Sequence, residues 1–434
     1  MVPCFGSVLD NDKIAIEISS GKTKTATFLI ECNNAIIAHK IKTKLEFTRR
    51  FKQITCAHHQ MEKMQSAGID MFIKVIMVAQ SSTLGSGPVI KQNNIQVEIY
   101  DVIQKKLMKT ITISHNGNMV DTINEISNRI YHAWITEPGV FNTAIVAIND
   151  IGEDLSTLVE IPYTQTSITC ISPPVSYLST ILNVKNEIYL TKFCVKKRGL
   201  AIFSYKKASK KFFRILSIEY GSVFSPAIYN GMLYVSGSFK GTTGIYSLPS
   251  ENECKQFTNF QEFESNKNTK NVVKIPNKIA TSININGQLV IFCSNMHGRP
   301  AIFKSMSDKS ASNVQISQNT SAAYYDPALF ENIKVAAIKS MDGQFHLVII
   351  DLATNSERTL LSKYYISKPA WSPCGNWLAV SAREKGENDA IILIHKSGKY
   401  QQVIKTSTPL RNPVWIERNL NNRNSDKKEA GEIQ

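Results

Sequence analysis

A polar residue followed by Pro-Ala or Pro-Val recurs along the second half of this 434-residue chain. It opens "SPAIYNGMLYVSGSF" at Pro226, "DPALFENIKVAAIKSM" at Pro327, "KPAWSPCGNWLAVS" at Pro369 and the short "NPVWIE" at Pro413. A degenerate copy, "TSININGQLVIFCS", aligns at Ser282, which sets the intervals at 56, 45, 42 and 44 residues. The long first interval carries a polar insertion, "NFQEFESNKNTKN", at 259–271. Each full copy holds an apolar strand, a tight turn, a second strand, a Gly-containing turn and a third strand. The turns carry Gly, Asn or Asp, which accept positive φ at low cost. A β-sandwich would account for the strands and leave the period unexplained. Units that cannot bury their own faces must stack, and a period of 42–45 residues with about four short strands is that of β-propeller blades.

Residues 141–174 and 174–225 each leave room for a further blade, so about six blades are expected between 141 and 416. The strand "NTAIVAIND", 142–150, lacks a local partner. An open propeller edge invites aggregation, so this strand is expected to close the ring by pairing with the last full copy, near 368–400. The first 135 residues differ in kind. "KIAIEIS", "ATFLIE" and "DMFIKVIMVAQ" read as strands, and "IQVEIYDVIQKKLMKTITIS" as two strands about a turn. Residues 33–47 form one helix, with Ala35, Ile36, Ala38, Ile41 and Leu45 at helical spacing; 118–134 form another, with Met119, Ile123, Ile126, Ile130 and Trp134 on one face. The expected fold is an α/β N-terminal domain (1–135), a hinge "TEPGVF" (136–141), an all-β six-bladed β-propeller (142–418) and a disordered polar tail (419–434).

Composition narrows the function. With 43% hydrophobic and 20% charged residues the chain is globular, and no apolar run approaches a membrane span. The net charge of +15 is spread, +4 over residues 1–140 and +11 beyond, with short clusters at 196–198 and 206–211. Nucleic-acid binding would gather it on one element with interleaved aromatics, so no nucleic-acid partner is expected. The eight Cys stand far apart without C-x-x-C or zinc spacing, as unpaired thiols in apolar strands would.

Catalytic signatures are scarce. There is no H-E-x-x-H, G-x-S-x-G or Walker loop. Gly85–Gly87 lacks the helix and lysine of a phosphate loop, and Cys56, His58 and His59 lack a fourth ligand. The expectation is no enzyme, no catalytic residues, no metal and no cofactor. Trp371 and Trp377, around the Ser372–Gly375 turn, are read as packing between blades.

These residues resemble the TolB family, periplasmic components of the bacterial Tol–Pal envelope system. The likeness runs from about Lys13 to Ile416. It is strongest in "EPGVFNTAIVAIND", in "PAWSPCGNWLA", where Cys374 replaces the family's usual Asp, and in "NPVWI". The resemblance implies a monomeric, non-enzymatic binding protein that supports outer-membrane integrity and constriction during cell division. It implies a TolA-type inner-membrane partner held by the N-terminal segment, here Lys13, Ile14, Ile16 and Ile18. A strand there would add to a partner's sheet edge. It further implies a Pal-type lipoprotein at the propeller mouth, received by loops entering the innermost strands: Ser222, Ser225, Ala280, Asp326, Lys368 and Asn412. A periplasmic location follows, although "MVPCFGSVLDNDK" carries no signal-peptide core. The competing readings are a propeller hydrolase or lactonase and a cytoplasmic propeller scaffold.

Overall fold

The computed structural model describes residues 25–418 apart from 57–59, 81–91, 116, 165–166, 185–186, 195–198, 219–220, 240–241, 250–254, 258–269, 276–279 and 308–311. Its order is β1 (Ala26–Cys32), α1 (Ala35–Phe47), β2 (Phe51–Gln53), α2 (Met61–Ser66), β3 (Met71–Gln80), β4 (Gln92–Asp101), β5 (Lys106–His115) and α3 (Met119–Ile135), followed by strands alone.

The N-terminal sheet runs β2-β1-β3-β4-β5, with β1 parallel to both neighbours and the rest antiparallel. Alternation along β1 sends Phe28 to the side of α1 and α3, and Leu29 to the side of α2 and Met64. Both long helices start on an Asn: Asn34 accepts the Ile36 and Ile37 amides, and Asn118 those of Val120 and Asp121. Helix α3 buries Ile123, Ile126 and Ile130 as its spacing predicts. Helix α1 is turned slightly from the expected face: Ile37 is buried and Ile36 is 68% exposed. Strand β2 and helix α2, of three and six residues, are too short to show a period and are not marked in the sequence.

Six four-stranded or extended sheets follow, one per blade, with innermost strands Leu178–Val184, Ser222–Tyr229, Ala280–Asn286, Ala323–Phe330, Tyr365–Trp371 and Leu410–Glu417. The ring closes by strand exchange. Leu410–Glu417 pairs antiparallel with Thr143–Gly152, which continues outward to Leu155–Pro162. The expected partner near 368–400 is therefore corrected. That copy already completes its own four strands, Tyr365–Trp371 through Gln401–Ile404, so only the short terminal strand remains to fill the gap.

The two domains share one apolar core, in which Phe51 and Tyr131 meet Phe141, Tyr163, Trp377 and Trp415. The connecting "EPGVF" is fitted tightly. A Cβ on Gly139 would strike the Asn128 side chain, which accepts the Phe141 amide at 3.1 Å. Phe141 is 2% exposed. Glu137 binds Arg50 of the N-terminal domain and lies 3.3 Å from His395 Nε2 of the fifth blade.

Candidate functional site: the propeller channel

The innermost strands share an irregularity. In all six blades the ladder skips two residues: between Leu178 and Ile181, Phe224 and Ala227, Thr281 and Asn284, Tyr325 and Ala328, Ser367 and Ala370, and Arg411 and Val414. In five of them the first skipped residue is left-handed, with φ of 51° at Ser225, 53° at Ser282, 47° at Asp326, 50° at Lys368 and 53° at Asn412. Four of these precede a proline. A bulged position has no ladder partner, so the missing N–H of Pro226, Pro327, Pro369 and Pro413 costs nothing there. This explains the recurring polar-Pro dipeptide. It also corrects the alignment: the third blade's equivalent of Ser225 is Ser282, one residue before the repeat anchor.

A left-handed non-glycine residue is strained by about 1–2 kcal/mol, and five at one level of a ring are not accidental. The bulges turn these side chains into a channel cavity of about 350 Å³, whose wall includes Ser225, Ser282, Asp326, Lys368 and Asn412 with Trp371 and Trp415. The ring is stitched across blades. The Ser282 amide donates to Ser225 Oγ at 3.1 Å, and Ser282 Oγ to Asp326 Oδ1 at 3.0 Å. Lys368 donates to the same carboxylate through its amide, at 3.2 Å, and its ammonium, at 2.5 Å. A second tier repeats deeper in: Trp371 Nε1 donates to Ala328 O at 2.9 Å, and Trp415 Nε1 to Ala370 O at 3.1 Å.

Burial would raise the Asp326 carboxyl, but the Lys368 charge and three hydrogen bonds outweigh it and hold the group below its ordinary value. The Cys293 thiol behind it is pushed up to about 12, by burial first and then by Asp326.

The expected mouth residues are thus only partly where the sequence placed them. Ser225, Asp326, Lys368 and Asn412 come together, but inside the innermost strands and hydrogen-bonded, not in loops ahead of them. Ser225 and Asn412 are 7% and 9% exposed. Ser222 begins its strand and accepts the Leu200 amide at 3.3 Å. Ala280 is fully buried and does not reach the channel. Lys13, Ile14, Ile16 and Ile18 lie outside the described residues, as do His58, His59 and Gly85–Gly87. Three exposed aromatics not expected from the sequence stand at the strand-entry end: Tyr177, Tyr325 and Tyr364, at 52%, 37% and 47%. Their signal was available, since each stands one residue before a strand or a bulge.

No protein-family profile matches the chain, and no curated protein matches it. Among solved structures it superimposes on TolB from Acinetobacter baumannii with a TM-score of 0.75 at 16% identity, over 93% of this chain and 99% of that one. A putative TolB from Agrobacterium tumefaciens aligns over 62% of this chain at 10% identity with a TM-score of 0.41. A nidogen/laminin complex aligns over 64% at 10% identity and 0.47. The fold is that of TolB in both domains, reached by a divergent sequence.

Proposed function

We propose, from a fold shared with TolB through both domains, that this chain is a non-enzymatic periplasmic binding protein of the Tol–Pal type. It docks a Pal-type lipoprotein at the entry end of its propeller and a TolA-type protein through residues 13–20. The carrying observation is the strained ring. Five left-handed residues fix the innermost strands at one level, and their polar groups are taken up by bonds between blades. Such groups brace a rigid rim and leave little free for acid–base chemistry. The rim presents tyrosines, which suit a protein interface because they give large amphipathic contact at low entropy cost.

Calorimetric titration of the soluble domain of a Pal-type lipoprotein tests this, using the full chain, a variant lacking residues 1–20, and Tyr325→Ala combined with Tyr364→Ala. Binding should survive the truncation and weaken about tenfold or more in the tyrosine variant. A TolA-type domain should show the opposite pattern. Equal binding of the lipoprotein by all three proteins would remove the mouth as its site.

A further inference from the structure

The polar junction between the domains opens outward into a cavity of about 630 Å³ lined by Arg50, Glu137, Lys334, Arg358, His395, Lys396, Ser397, Lys399 and Tyr400. Five of these side chains are cationic and Glu137 is the one carboxylate among the lining residues. Asp351, the acid whose field reaches Lys334, is not part of the wall. The chain's excess positive charge is spread by sequence, yet the fold concentrates it here from the turn after α1 and from two blades.

Three of the cations, Arg50, Arg358 and Lys396, are held in place. Arg50 stacks on Tyr400, with its guanidinium 5.3 Å from the ring centre, and is tied to Tyr131 at 2.8 Å. Arg358 donates to the carbonyls of Lys396 and Ser397 at 2.6 and 3.2 Å, which fixes its planar head on the rim. Lys396 Nζ is positioned by Asn376 Oδ1 at 2.7 Å and stands 4.0 Å from Glu137. His395 forms the floor, 3% exposed, with Nδ1 on Ser397 Oγ at 2.8 Å. One carboxylate cannot balance five cations lining one cavity, three of them fixed in place, so the cavity is an electrostatic trap for a negative ligand.

We propose that this cavity is a binding site for a compact polyanion, a ligand carrying two or more clustered phosphate or carboxylate groups. Its volume suits a small ligand, and the mixture of forked guanidinium and point-charge ammonium groups suits anions with several oxygens. The site is separate from the propeller channel and does not depend on the proposed partners.

The test is calorimetry with two probes, tripolyphosphate and citrate, at constant ionic strength. The proteins are the intact chain, an Arg358→Glu/Lys396→Glu variant, and a control with Lys304→Glu and Lys211→Glu on other blades. Thermal melting confirms that each is folded. Saturable one-to-one binding to the intact chain is expected, weakened about tenfold or more in the cavity variant and unchanged in the control. Tighter tripolyphosphate marks a phosphate-bearing ligand, and tighter citrate a polycarboxylate. Absence of saturable binding by both probes, or equal weakening in the control, overturns the proposal.

Discussion

Asn412 reaches across the seam of the ring: its side-chain amide donates to the carbonyl of Ser179, joining the innermost strands of the last and first blades. Beside it Arg411 grips Asp150 with two bonds, of 2.6 and 2.9 Å, and adds a third to Leu178 O at 2.8 Å. The pair is a quarter to a third exposed, so Arg411→Met should cost about 1–2 kcal/mol and not more. Denaturant titration with an unchanged m value reads this directly. No shift in midpoint would show that the seam is held by apolar packing alone.

Glu137 should make the interdomain joint acid-sensitive. The His395 hydrogen bond is the largest influence on its carboxyl; burial opposes it, and Arg50 adds to it, leaving the group at about 2. A carboxyl lowered in the folded state contributes stability that is complete above its unfolded value, near 4.5, and is lost as pH falls toward 2. Over that window the wild type should lose roughly 2 kcal/mol more than Glu137→Gln, after allowance for partial exposure. Parallel acid-unfolding curves for the two proteins would refute this.

Lys44 predicts the reverse of the usual charged-residue outcome. It is 7% exposed, and its ammonium donates to Thr164 Oγ1 at 2.6 Å. Burial, then the Arg418 and Lys40 charges, lower its value to about 8. Below that pH the folded protein keeps a buried charge at a cost, and the cost is relieved as pH rises toward 10.5. Lys44→Met should therefore stabilise the protein at neutral pH by roughly 2 kcal/mol, and the gain should shrink at alkaline pH. A destabilised variant at pH 7 would contradict the sign.

Trp377 and Trp371 should separate in magnitude. Trp377 is 1% exposed, packed edge-on to Tyr163 at 6.0 Å and to His395 at 5.2 Å, where both domains meet. Truncation to Ala should cost about 3–5 kcal/mol. Trp371 faces the channel and is bound to the next blade through Nε1, so Trp371→Phe should lose about 1 kcal/mol, mainly its hydrogen bond. Chemical denaturation of both variants checks the ordering.

The ring was legible because its period comes from Pro-containing bulges, and Pro226, Pro327, Pro369 and Pro413 report a backbone event directly. The third blade has Ile283 at that place, so no proline marks its bulge and an alignment on the repeat slips by one residue there. The Ser372–Gly375 turn was legible for a similar reason. Gly375 has φ of 67° and any Cβ would strike the Phe330 ring. Polar clusters were not legible. Arg50, Glu137, Arg358 and His395 are separated by tens to hundreds of positions, and nothing local marks any of them. Only folding brings them to one wall. The same holds for Asp326 and Lys368, which the repeat placed at equal heights without showing that they pair.

The composite last blade has a consequence for how the chain is made. Until residues 410–417 emerge, Thr143–Gly152 has no inner neighbour, and the arc of completed blades stays open at both ends. Commitment to the native ring is thus deferred until the sixth blade's innermost strand has been made. A stop codon or proteolytic nick just ahead of Leu410 would do more harm than one of equal length in a surface loop. It would strand a finished arc with the inner edge of Thr143–Gly152 bare, a species suited to pairing with its own copies.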